Sequence, residues 1–176
     1  MLDNLTKPIR VTVAGAKRVG KTSILTVLAY GIETFSEDYH PTIEDIFYIK
    51  NENILFYDLA GASEEATIPK HYYNNADAFL LIYDVTDQLS FNIMEKLKHR
   101  IDKVRDKVPI VCLGNKSDQP HRQLTFDQVN SWAETENLRL FEVSATKRIS
   151  LRDPIKFLLK NINIGVKSIF SRSKRL

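Results

Sequence analysis

Residues Gly15-Ala16-Lys17-Arg18-Val19-Gly20-Lys21-Thr22 match the pattern G-x-x-x-x-G-K-[ST], which is typical of a phosphate-binding loop between a strand and a helix. It follows the apolar run 9–14, which predicts a strand, and it opens the segment 21–30, which predicts a helix. Glycines let the backbone curl so that successive N–H groups face a phosphate, and the helix N-terminus adds positive potential. We therefore predict that Lys21 reaches the β- and γ-phosphates of a nucleotide and that the Thr22 hydroxyl ligates Mg²⁺.

This loop by itself leaves the nucleotide base open, because ATPases, nucleoside kinases and GTPases all use it, and a plain glycine turn is a further alternative. The rest of the chain supplies the context. Apolar and amphipathic segments alternate, which predicts further strands over 43–50, 54–58, 78–85, 109–114 and 138–143, and helices over 90–105, from 125 onward and over 151–159. Such alternation predicts one α/β domain with a mostly parallel sheet covered by helices. Ligands bind beyond the carboxyl ends of the strands of such sheets, so functional residues should follow strands directly.

The loop Asn115-Lys116-Ser117-Asp118 follows one of these strands and indicates the base. A carboxylate accepts two hydrogen bonds from an N–H/NH₂ pair, which guanine offers and adenine does not. We predict that Asp118 reads the base, that Asn115 braces neighbouring loops and that the Lys116 stem covers the base plane. Ser144-Ala145-Thr146 follows the last strand, and we expect the Ala145 N–H to meet the guanine oxygen. Phe35 is a candidate stacking residue, with ordinary packing as its alternative.

Two further segments offer ligands for a magnesium–triphosphate. Asp58, which ends a strand, is predicted to hold Mg²⁺, and the Gly61 N–H can approach the γ-phosphate without hindrance from a Cβ. Thr42 offers its hydroxyl to Mg²⁺ and its N–H to the γ-phosphate. The predicted metal ligands are therefore Thr22, Thr42 and Asp58.

Composition limits the class of protein. With 43% hydrophobic and 27% charged residues the chain is suited to a globular fold, and a net charge of +3 does not predict nucleic-acid binding. The lone cysteine, Cys112, lies in an apolar run and predicts a buried strand residue and a reducing compartment. No apolar run is long enough to span a membrane. The basic segment 164–176 contains no cysteine for lipidation, so we expect no stable membrane anchor. We expect one domain over residues 1–163, and a monomer located in the cytoplasm.

The phosphate loop is followed by the motifs D-x-x-G at 58–61 and N-K-x-D at 115–118. With these motifs in this order, the chain resembles the Ras superfamily of small GTPases over residues 9–160. The resemblance implies a P-loop fold with a six-stranded sheet and five helices, GTP and GDP as ligands, and an effector loop at Tyr39–Asp45. The strings 68–73, 101–107, 113–116 and 140–143 are more closely similar to the NF-κB-inhibitor-interacting Ras-like (κB-Ras) subfamily. That similarity implies binding to ankyrin-repeat inhibitors of NF-κB, restraint of that pathway and contact with Ral-directed GTPase-activating complexes. Partner surfaces are expected at Tyr39–Asp45 and Gly61–Tyr73.

The residues expected to contact the nucleotide are numerous. They are Gly15, Ala16, Lys17, Arg18, Val19, Gly20, Lys21, Thr22, Ser23, Phe35, Thr42, Gly61, Asn115, Lys116, Asp118, Ser144, Ala145 and Thr146. Lys21, Thr42 and Gly61 are the candidates for a direct part in catalysis.

Two departures from the family pattern predict weak hydrolysis. Ala62 stands where the family usually has a glutamine that orients the attacking water, and a methyl group cannot do this. Lys17 and Arg18 replace paired glycines, and their bulk should obstruct an arginine finger from a partner. Either side chain can instead act as an internal finger, or both can point to solvent.

Three functions remain open at this point. The chain is a signalling regulator with slow or impaired GTP hydrolysis, an interaction module for which nucleotide is a structural ligand, or an ordinary Ras-type switch. A nucleoside kinase is disfavoured by the N-K-x-D loop.

Overall fold

The computed structural model describes residues 7–31, 42–63, 68–105 and 107–162. Within them six strands form one sheet: β1 (Ile9–Gly15), β2 (Glu44–Ile49), β3 (Ile54–Leu59), β4 (Ala78–Asp84), β5 (Ile110–Asn115) and β6 (Arg139–Glu142). The order across the sheet is β2-β3-β1-β4-β5-β6, and the β2–β3 pair is antiparallel while the other pairs are parallel.

Five α-helices accompany the sheet in the described residues: α1 (Lys21–Tyr30), α2 (Lys70–Asn75), α3 (Gln88–Val104), α4 (Phe126–Thr135) and α5 (Arg152–Asn161). Short 3₁₀ turns span Lys50–Glu52 and Arg148–Leu151. The predicted α/β fold, with a six-stranded mostly parallel sheet and five helices, is confirmed. None of the helices described is long and apolar enough to cross a membrane.

Local chemistry sets several helix ends. Asp87 caps α3 by accepting a hydrogen bond from the Leu89 N–H at 2.9 Å, so this helix begins two residues earlier than predicted. At α4 the capping box between Thr125 and Gln128 forms as predicted.

The core lies where the helices cover the sheet. All seven residues of β4 are buried, as expected for a central strand covered on both faces. The apolar stripe of α3 faces the sheet, and Met94 and Ile101 are fully buried, but Val104 at the end of the helix is 53% exposed. Cys112 is buried as predicted, and burial raises the pKa of its thiol to about 12.

The short helix α2 was not predicted from the sequence. Histidine, tyrosine and asparagine are poor helix formers, so propensity gives no signal over these residues. Packing holds the helix in place instead: the Tyr72 ring lies 5.5 Å from that of Tyr57, and the Tyr73 ring 6.1 Å from that of Phe79.

Candidate functional site

The carboxyl ends of the parallel strands meet at one edge of the sheet, and the predicted site residues gather there. The phosphate loop follows β1, Asp58 lies near the end of β3, Asn115 ends β5, and Ser144 comes two residues after β6. These residues are far apart in sequence, and the parallel order of the strands brings them together.

Gly20 joins the phosphate loop to α1 as the N-cap of the helix. Its φ of 91° lies in the left-handed region, which glycine adopts without steric cost. A Cβ at this position would lie 2.3 Å from Asn115 Nδ2. Glycine is therefore required here both by the turn and by the asparagine packed against it.

Lys21, the first residue of α1, is buried beneath the phosphate loop. Its Nζ donates to the carbonyl oxygens of Ala16 at 2.9 Å and Gly15 at 3.3 Å. Burial lowers the pKa of Lys21 to about 8, and the nearby Asp58 carboxylate acts in the opposite direction. The ammonium group is thus held inside the loop, where a phosphate cradled by the loop would be its natural counter-charge.

The three predicted metal ligands are in contact with one another. The Thr22 hydroxyl donates to Asp58 Oδ2 at 2.5 Å and lies 2.9 Å from the Thr42 hydroxyl. Asp58 is fully buried, and its Oδ1 has no hydrogen-bond partner among the described residues. Burial raises the pKa of Asp58, while Thr22 and Lys21 lower it. A buried carboxylate oxygen with no donor, beside two hydroxyl groups, fits the oxygen ligands that Mg²⁺ prefers.

Gly61 and Ala62 lie directly against the phosphate loop. The Ala62 N–H donates to the Gly15 carbonyl at 2.9 Å, and Ala62 forms an isolated parallel bridge with Ala16. A Cβ on Gly61 would lie 2.5 Å from Lys17 Cα, so only glycine allows this approach. Ala62 is 9% exposed and offers neither a donor nor an acceptor from its side chain.

Asn115 connects three segments of the site. Its Nδ2 donates to the Val19 carbonyl at 2.8 Å, and its Oδ1 accepts from the Ala145 N–H at 3.1 Å. The residue is 1% exposed. The side chain therefore holds the phosphate loop and the segment after β6 at fixed distances from β5.

Asp118 lies on the surface of the same loop, with its carboxylate oriented by neighbours. A hydrogen bond from Ser144 is the main cause that lowers the pKa of Asp118, and Gln119 Nε2 donates to its Oδ2 at 3.0 Å. The Ser144 and Thr146 hydroxyls are 2.7 Å apart, and Ala145 between them is buried. The carboxylate is thus ionised, exposed and supported from the segment that follows β6.

Lys116 makes a contact that the sequence analysis missed. Its Nζ lies 2.5 Å from Oδ2 of Asp84, the last residue of β4. One local signal was available: Asp84 ends the buried strand β4, and Asp58, near the end of β3, was predicted to hold Mg²⁺ from a similar position. The pairing partner was not readable, because it depends on β4 and β5 being neighbours.

The remaining predicted residues divide between described and undescribed parts of the chain. Lys17 and Arg18 are exposed, and Arg18 has a φ of 62°, an unusual value for a residue with a side chain. Val19 is buried and Ser23 half-buried. Outside the described residues lie Phe35, the 39–41 part of the predicted effector loop, residues 64–67 of the second partner surface, and the basic tail 164–176.

A separate groove of about 460 Å³ lies at the opposite end of the sheet, lined by residues of α3, β5 and α5 and by the loops beside them. None of the predicted site residues lines it. Lys98 lies there and pairs with Glu136 and, at 2.7 Å, with Asp102, so its charge is already compensated. The groove offers no chemistry related to the motifs.

Comparisons with known proteins agree with the geometry. A sequence model of the Ras family matches residues 10–164. NF-kappa-B inhibitor-interacting Ras-like protein 1 of Homo sapiens is 38% identical over 89% of this chain and 87% of its own length. Protein 2 of the same name from Mus musculus is 38% identical over 96% and 94%, and the Drosophila melanogaster protein is 31% identical over 95% and 90%. The predicted resemblance is therefore confirmed.

Proposed function

Because the chain belongs to the Ras family, we propose that it is a guanine-nucleotide-binding regulator that hydrolyses GTP slowly. The main support for guanine-nucleotide binding is the position of Asn115. Its buried amide joins the phosphate loop at Val19 to the segment at Ala145, next to the Asp118 carboxylate. One side chain thus ties the loop proposed to bind phosphate to the segment proposed to bind the base.

Mg²⁺ is proposed to bind beside the phosphates, held by Thr22, Thr42 and Asp58. The support is the contact among these side chains and the partnerless Oδ1 of Asp58. A bound Mg²⁺ would supply positive charge to the phosphate oxygens. Lys21 would supply a second positive charge from inside the loop, and its mainly protonated state below pH 8 suits that role.

The proposal of slow hydrolysis is supported by the surroundings of Ala62. The attacking water must be oriented toward the γ-phosphate, and in Ras a glutamine side chain does this. Here the side chain is a methyl group packed against the phosphate loop, and the Ala62 N–H is used by the Gly15 carbonyl. Because neither group is available to a water, we expect intrinsic hydrolysis no faster than the rate of Ras, about 10⁻⁴ s⁻¹.

The partner is proposed from the relatives. Their names describe them as NF-kappa-B inhibitor-interacting proteins. We extend this to the present chain, which would bind an inhibitor of NF-κB, restrain that pathway and contact a Ral-directed GTPase-activating complex. The partner surfaces are proposed at 39–45 and 61–73.

Two measurements test the proposal together. The nucleotide that copurifies with the protein is released by denaturation and identified by ion-exchange chromatography, and single-turnover hydrolysis is followed on protein loaded with GTP. Mostly GTP together with a rate at or below about 10⁻⁴ s⁻¹ is the expected result. Adenine nucleotide would refute the base assignment, and turnover stimulated by a GTPase-activating protein as strongly as in ordinary Ras would refute impaired hydrolysis.

A matched pair of variants controls for the site. Asp118→Asn replaces the acceptor pair by an amide and should abolish retention of guanine nucleotide. Asp127→Asn makes the same change in the exposed first turn of α4 and should leave retention unchanged. If GTP is retained with no measurable turnover at all, the protein is an interaction module for which the nucleotide is a structural ligand.

A further inference from the structure

Asp84 is a buried carboxylate at the end of β4, 5% exposed and adjacent to Asn115 in the β4–β5 register. Its Oδ1 accepts from the N–H and the hydroxyl of Thr86, at 2.9 and 2.7 Å. Its own N–H donates to Ser90 Oγ at 2.9 Å, and its carbonyl accepts from the Asp87 N–H at 3.0 Å. These hydrogen bonds to the segment 86–90 hold the residue in place, and its Oδ2 pairs with the loop 115–118.

That oxygen lies 2.5 Å from Lys116 Nζ. Lys116 has a φ of 64°, in the left-handed region, which is strained for a residue with a side chain. Its side chain is 38% exposed and, without a partner, would sample many rotamers. The ion pair with Asp84 therefore restricts the Lys116 side chain to rotamers that point toward the end of β4.

We infer that Asp84 is a positioning residue for the bound nucleotide. It acts through Lys116: by holding the ammonium group against β4, it keeps the aliphatic stem of the lysine in the plane that covers the guanine base. The inference rests on the proposed nucleotide function and adds to it a residue outside the recognised motifs. Its consequence is kinetic, since a stem held in place should slow escape of the base and lengthen the residence time of the nucleotide.

The experiment measures dissociation of a fluorescent GDP analogue from the full chain, displaced by excess GDP. Asp84→Asn keeps the side-chain volume and the acceptor for Thr86 but faces the lysine with an uncharged amide. We expect the dissociation rate to rise about tenfold, which corresponds to about 1.4 kcal/mol. Asp87→Asn is the matched control, because its carboxylate caps α3 and an asparagine caps equally well. Its rate should equal that of the wild type.

A double-mutant cycle separates action through Lys116 from a general effect. If Asp84 acts only through the lysine, Lys116→Met and the Asp84→Asn/Lys116→Met double variant should both dissociate at about the Asp84→Asn rate. The inference would be overturned if the fold-increases in dissociation rate from the two substitutions multiply in the double variant. It would also be overturned if Asp84→Asn releases the GDP analogue at the wild-type rate. A wild-type protein that binds no guanine nucleotide would instead overturn the proposed function, and the inference with it.

A second readout excludes mere disorder of the loop. Inosine diphosphate lacks the exocyclic amine that Asp118 is proposed to read, so the ratio of its dissociation rate to that of GDP reports on Asp118 alone. We expect Asp84→Asn to leave this ratio unchanged while both rates rise. A ratio that falls toward one would mean that the whole 115–118 loop has lost its structure, and the positioning role would be wrong.

Discussion

Replacing Asn115 by alanine removes a side chain whose amide nitrogen and oxygen are both in use. The Val19 carbonyl loses its donor at 2.8 Å, and the Ala145 N–H loses its acceptor at 3.1 Å. The asparagine is 1% exposed, so water does not reach these groups in the native protein. Each buried group left without a partner costs about 1–3 kcal/mol, and water entering the vacated space recovers part of this.

We therefore expect Asn115→Ala to lower the free energy of unfolding by about 3 kcal/mol. For a chain of this size 1 kcal/mol shifts the melting temperature by about 2–4 °C, so the fall should be about 6–12 °C. The phosphate loop and the segment after β6 would also lose their common anchor. Dissociation of a fluorescent GDP analogue should then accelerate by about tenfold or more, since tenfold corresponds to only 1.4 kcal/mol.

Thermal unfolding followed by circular dichroism, together with stopped-flow dissociation, measures both quantities. Asn130→Ala is the matched control: its Nδ2 donates to Glu134 Oε1 at 2.7 Å on the exposed side of α4. Such a surface change should alter stability by no more than about 0.5 kcal/mol. If Asn115→Ala has the melting temperature of this control and releases GDP at the wild-type rate, the two hydrogen bonds of Asn115 stabilise neither the fold nor the bound nucleotide, and the prediction is refuted.

Three further predictions concern the phosphate loop. The pKa of Lys21 is about 8 in the folded chain and 10.5 in the unfolded chain, so between pH 8 and pH 10.5 the unfolded chain binds more protons. The free energy of unfolding of nucleotide-free protein should therefore rise with pH through this window relative to that of Lys21→Met. Urea unfolding at a series of pH values measures this, and below pH 8 the two proteins should show the same pH dependence. Lys17→Gly/Arg18→Gly should hydrolyse GTP in a single turnover at least as fast as wild type, whereas a rate about tenfold slower would show that one of these side chains acts as an internal finger. Gly61→Ala would place a Cβ 2.5 Å from Lys17 Cα, and its melting temperature should fall by about 2–4 °C; an unchanged melt would show that the contact is not tight.

Much of the site was predictable because its signals are local. The phosphate loop combines glycine spacing with a strand before it and a helix after it, and α1 has the bounds predicted for it, Lys21–Tyr30. The capping box at Thr125 is likewise a pattern within four residues. Asp58 and Asn115 were predicted for the same reason, since each ends an apolar run and the ends of parallel strands share one edge of the sheet.

The order of the strands, of the helices other than α2 and of the motifs along the chain was predictable from the sequence alone. Which residues touch was decided by the tertiary structure, because the sheet order β2-β3-β1-β4-β5-β6 differs from the order of the chain. Asn115 meets Val19 from 96 residues away, and Lys116 meets Asp84 only because β5 lies beside β4. Helix α2 is the same case, since it forms from residues of low helix propensity that gain more by packing Tyr72 and Tyr73 than they lose in backbone preference.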